Sequence, residues 1–170
     1  MRIYLPSTLQ ELAAGPAASG RISLGPRNAH AVTPHLERAL LDTEDASAQG
    51  PLDLEELEFA ALLAAADDSL VEIARSPQVP WQRTVVSLDV PDDAVEVVDE
   101  PDSAPSTVRI VRDLGPLPVV CVHVDETQAA QAVEAALGGG ETALEALADL
   151  DLLWYATSEL SEIPGLPEAD

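Results

Sequence analysis

The sequence contains no lysine. Its eight basic side chains are all arginine, they face 31 Asp and Glu, and the formal net charge is −23 over 170 residues. A surface this acidic repels nucleic-acid backbones and anionic headgroups, which proteins grip by neutralising phosphate with Lys and Arg. One cysteine, Cys121, excludes an internal disulfide, as expected of a chain kept in a reducing compartment. Aromatic residues make up 3%, so the core has to be built from Ala, Val, Leu and Ile. Long apolar runs are missing as well. Phe59–Ala66 and Leu117–Val122 are the longest, far below the roughly 20 residues of a membrane-spanning helix. Met1–Pro6 reads as a strand rather than an export leader. The expected location is the cytoplasm, with no membrane and no nucleic acid among the partners.

What is present suffices for a folded domain. Apolar residues make up 46%, too many for a disordered chain. The charge is unevenly spread. Residues 1–40 carry Arg2, Arg21, Arg27 and Arg38 against Glu11 and Glu37, a net of +2, which leaves −25 for the rest.

Local patterns suggest the order of elements. Arg2–Leu5 predicts a strand, and the capping-box form of Ser7-Thr8-Leu9-Gln10 predicts a helix to about Ala14. Residues 15–27 read as a loop, and Asn28–Val32 as a strand. Thr33-Pro34 reads as an N-cap with proline in the first helical position. Asp42–Pro51 reads as a polar loop. Asp53-Leu54-Glu55-Glu56 opens the strongest helix, with Phe59, Leu62, Ala66, Leu70 and Ile73 on one stripe and Leu57 and Leu63 widening it. The period then changes to two. Arg83–Val90 predicts a strand with Ala94–Val98 as its hairpin partner, followed by strands at Thr107–Val111 and Val119–Val124 and a turn at Gly115-Pro116. Asp125-Glu126-Thr127-Gln128 reads as a third capping box, with Asp125 as N-cap. Gly138-Gly139-Gly140 reads as a breaker between two helices, and Leu152–Thr157 as the last strand. The expected architecture is a single α+β domain over residues 1–160. It comprises a mixed, mostly antiparallel sheet of five to seven strands with about five helices. Residues 161–170 are expected to form a flexible acidic tail.

No motif for catalysis, metal or a cofactor stands out. Cys121 and His123 share a strand face, but positions i and i+2 lie roughly 6.6 Å apart, too far for direct nucleophile–base pairing. His30, His35, His123, Asp125 and Glu126 match no known metal-ligand spacing. The acids between Asp89 and Asp102 lack the ligand pattern of a calcium loop. The one candidate ligand site is an Arg/His group, Arg2, Arg21, Arg27, His30, His35 and Arg38, which could hold an anion if its members converge. Trp154 and Tyr155 point to opposite faces of the last strand, one expected in the core and the other on a contact surface.

Several segments appear in a recognisable order. They are Met1-Arg2-Ile3-Tyr4-Leu5-Pro6-Ser7-Thr8-Leu9, Ala31-Val32-Thr33-Pro34, Glu55–Ala61, Val122-His123-Val124-Asp125 and Leu152–Glu159. With them the chain resembles a family of short, uncharacterised actinobacterial proteins, a domain of unknown function. The resemblance implies a cytosolic protein of a high-GC bacterium and brings no activity or catalytic residue. Together these readings lead to an expectation of a non-catalytic protein-binding or regulatory module that offers an acidic surface to a basic partner. The alternative is a small enzyme or anionic-metabolite binder built on the Arg/His group.

Overall fold

Strand alternation gives this chain a sheet that is apolar on both faces. The computed structural model describes residues 1–42, 52–76 and 80–167. Strands and helices follow in the order β1 (Arg2–Ser7), α1 (Leu9–Ala13), α2 (Pro16–Ser19), β2 (Arg21–Leu24), β3 (Arg27–His30), α3 (Pro34–Leu41), α4 (Leu54–Arg75), β4 (Thr84–Asp89), β5 (Val95–Val97), β6 (Thr107–Ile110), β7 (Leu114–Asp125), α5 (Ala130–Leu137), α6 (Glu141–Ala148) and β8 (Leu152–Ala156). The sheet has eight strands in the order β2-β7-β4-β1-β3-β6-β5, with β8 also paired to β7. The α+β class expected from the sequence holds, and every pairing is antiparallel. Among the described residues no helix is long and apolar enough to cross a membrane.

On one face Tyr4 and Val85 pack under α4 with Leu57, Ala61, Leu62, Ala65 and Ala66. On the other, Ile3, Leu5, Val86, Leu88 and Val122 join Ile22 and Leu24 of β2 and Val108 and Ile110 of β6 in one cluster. Strands far apart in the sheet order share that cluster, so the sheet curls around it. Leu9 and Leu12 of α1, with Leu160 and Ile163, add to the same core.

α4 starts as its sequence dictates. Glu56 N–H donates to Asp53 Oδ1 (2.8 Å) and Asp53 N–H to Glu56 Oε2 (3.2 Å), closing both halves of a capping box. Three of its buried residues, Ala61, Ala65 and Ala66, are alanines, which let the helix lie close to the sheet. Phe59 is therefore left on the flank, 57% exposed, and Leu63 37% exposed. Both had been expected inside. At α3 the sequence reading holds in detail: Thr33 caps the helix by accepting from Leu36 N–H, and Pro34 occupies its first turn.

Several local expectations are corrected. The stretch read as a loop at 15–27 contains α2 and β2, because β2 alternates buried Ile22 and Leu24 with exposed Arg21 and Ser23. Gly115-Pro116 lies inside β7. It falls in the half of that strand that β2 pairs and β4 does not reach, where a proline without an N–H is tolerated. Val95–Val97 pairs with β6, while β4 takes β1 and β7 as neighbours. Residues 161–164, expected to begin a flexible tail, are held against the domain. Ser161 and Glu162 end a 3₁₀ turn, Ile163 is buried, and Gln82 donates to the Pro164 carbonyl. Residues 168–170 lie outside the described residues, as does the expected loop at 42–51 apart from Asp42.

Candidate functional site

The Arg/His group does not converge. Arg2 forms a two-pronged pair with Asp89 at the start of β1, which holds the Asp89 carboxyl below its ordinary range. Arg27 lies at the other end of β1, bonded to Glu11 (2.6 Å) and the Pro6 carbonyl. Arg21 reaches the Pro116 carbonyl on the β2–β7 side, and Arg38 the Pro34 carbonyl within α3. His35 is half-buried on α3. Arg27 does share a cleft of about 330 Å³ with Arg75, but Asp68 and Glu72 line it too, and Arg75 is paired to Glu72. The four arginines of the group are thus engaged separately, two by carboxylates and two by backbone carbonyls.

His30 is buried, with Nδ1 2.8 Å from Ser106 Oγ and Nε2 3.0 Å from Asp68 Oδ2. The three residue types are those of a hydrolytic triad. Ser106, however, is 1% exposed, so a substrate has no approach to its hydroxyl. The arrangement joins β3, the approach to β6, and α4. Sequence reasoning missed it because its members are dozens of residues apart.

Asp125 is corrected as well. Its carboxylate does not cap a helix. It accepts from the Arg83 backbone N–H (2.8 Å), from Nε and from a terminal guanidinium nitrogen (2.8 Å). Both side chains are buried, at 2% and 0% exposure. α5 instead follows a 3₁₀ turn with no side-chain cap. Among the described residues, no three His, Cys, Asp or Glu side chains come together in a group able to hold a metal ion.

A second candidate surface lies beside α4. Phe59, Leu62 and Leu63 of α4, His123 of β7, Ala148 at the end of α6, and Leu150, Asp151, Leu152 and Trp154 enclose a groove of about 470 Å³. The register explains it. His123 sits opposite Val85 on β4 and Trp154 on β8, so all three face the α4 side. α4 covers Val85 and stops short of Trp154, which is 59% exposed. Tyr155, on the opposite face, packs against the core. The two aromatics thus divide as strand alternation predicts.

Two polar atoms on this face are buried without hydrogen-bond partners, His123 Nδ1 and Ser87 Oγ. Such atoms typically cost about 1–3 kcal/mol each. Burial also pushes the His123 imidazole below its ordinary value of 6.5. A depressed histidine is protonated first in the unfolded chain. Stability is therefore full above pH 6.5 and is lost as pH falls through the lower, folded value. Replacing His123 with Leu is expected to flatten the fall in urea-unfolding stability as pH drops below 6.5. Equal slopes for the two proteins would refute this assignment.

The model of a family of unknown function (DUF6912) matches residues 1–163. No curated protein matches the chain, and no solved structure does.

Proposed function

We propose, for a chain that belongs to the DUF6912 family, a non-catalytic protein-binding role in the cytoplasm, in which the groove beside α4 receives a basic partner. The observation that carries the reading is the exposure of Trp154, at 59%, beside Phe59, at 57%, in a protein with five aromatic residues. An exposed aromatic costs solubility unless a partner covers it, and buried aromatic anchors supply much of the energy of protein interfaces. The surrounding charge indicates the partner's sign. Asp151 lines the groove, Asp149 lies beside it in the sequence, and no Arg follows Arg112. Among the described residues six of the eight arginines already bond carboxylates. The surface therefore has acidic groups to spare and few free cations.

The test is quantitative capture of interacting proteins on the immobilised chain and on its Phe59→Ser/Trp154→Ser variant. The expected result is a partner of net positive charge that is lost from the variant and released near 1 M salt, where the Debye length falls to about 3 Å. Acidic partners, or a partner set indifferent to the double substitution, would overturn the proposal.

A further inference from the structure

The geometry points to strand addition: we infer that the basic partner binds as an extended segment along the free edge of β8. The inference rests on the binding role proposed above and specifies its mode.

β8 pairs with β7 over five registered positions, from Leu152 opposite Asp125 to Ala156 opposite Cys121. Among the described residues no strand pairs with its other side. Among the described residues the one further bond at its backbone is Ala156 N–H donating to Glu159 Oε2. Alternate N–H and C=O groups of an antiparallel strand point to opposite edges, so β8 presents unpaired backbone groups outward. Natural sheets blunt such edges with charge, proline or shortness. The β5 edge follows that rule, with three residues and Glu96 at its centre. β2 has four residues and begins with Arg21. β8 does not follow it. Leu152-Leu153-Trp154-Tyr155-Ala156 has neither charge nor proline, and Leu153 and Trp154 are exposed.

The charge around the edge selects the occupant. Asp149 and Asp151 precede β8, Glu159 and Glu162 follow it, and no Arg or Lys lies beyond Arg112. A second copy of this chain would set the same acids against one another and add another −23. An extended segment that alternates cationic and apolar residues suits both features. Its backbone completes the ladder, its apolar side chains on the groove face lie over Trp154, and its cations meet the flanking carboxylates.

Calorimetric titration of the full chain at low salt tests this with a synthetic peptide of alternating lysine and valine. Two further peptides carry N-methyl groups on alternate amides, one on the valines and one on the lysines. A fourth is a helix-forming lysine–leucine peptide of equal charge. The expected result is binding of the parent peptide, an at least tenfold loss on methylation in one frame, and little loss in the other. Equal loss in both frames overturns strand addition. So does helical peptide binding as tightly as the extended one, although that outcome leaves the docking surface standing. Failure of every peptide overturns both the mode and the binding role. Sedimentation supplies the remaining arm: a dimer of the free chain that Leu153→Lys dissociates would show the edge to be filled by a second copy and overturn the basic occupant.

Discussion

Replacing Arg83 with Leu is expected to destabilise the protein by about 3–5 kcal/mol, because it strands a buried carboxylate. Asp125 is fully buried and accepts two bonds from the guanidinium through Nε and one from a terminal nitrogen. Without Arg83's side chain it keeps the backbone N–H of residue 83 as a donor. One neutral donor does not offset the desolvation of a full negative charge. The loss extends beyond the pair. Arg83 also donates to the Leu150 carbonyl at the entrance to β8, and the neighbouring Gln82 holds the carbonyls of Asp125 and Pro164. One cluster thus ties the start of β4 to the end of β7 and to the chain on either side of β8. Urea midpoints for Arg83→Leu, Asp125→Leu and the double variant measure it. The double variant should recover part of the loss, since removing both charges of a buried pair costs less than removing one. A change below about 1 kcal/mol in Arg83→Leu would show that the pair is not desolvated as its burial indicates.

That cluster also marks where the sequence stops being informative. Asp53 and Asp125 carry the same local signature, an acid followed three residues later by Glu or Gln. Asp53 caps α4, its carboxylate accepting from Glu56 N–H as the local signature implies. Asp125 is taken by an arginine 42 residues away, and nothing local in the sequence announces that claim. The helix at Thr33-Pro34 was legible for the same reason as α4: cap, proline and first turn lie within four residues. Phe59 was misplaced because periodicity gives the angle of a side chain around its helix, not how far the neighbouring sheet extends. Tertiary position decided the candidate site too. The alternation that separates Trp154 from Tyr155 could be read directly, whereas the open edge of β8 and the dispersal of the N-terminal arginines depend on strand order.

The same two aromatics provide the second large effect. Trp154→Ala is expected to weaken binding of a basic partner by about 2 kcal/mol or more, roughly a thirtyfold rise in Kd. Its effect on folding should be small, because a side chain 59% exposed gives up little buried area. Tyr155→Ala should do the reverse. That ring packs against the core beneath the sheet, so its loss is expected to cost about 1–3 kcal/mol of stability and to leave affinity nearly unchanged in the fraction that remains folded. Comparing the two variants separates a contact role from a packing role on one strand, since adjacent residues share the same backbone and the same edge. Titration with the lysine–valine peptide gives the affinities, and urea unfolding gives the stabilities. If Trp154→Ala loses stability and keeps its affinity, the indole is a structural cover for β7 and α4 rather than an anchor, and the groove is not where the partner sits. If affinity falls while the urea midpoint holds, Trp154 contributes to binding in excess of folding. That is the condition under which an acidic chain would retain an exposed tryptophan beside an undefended strand.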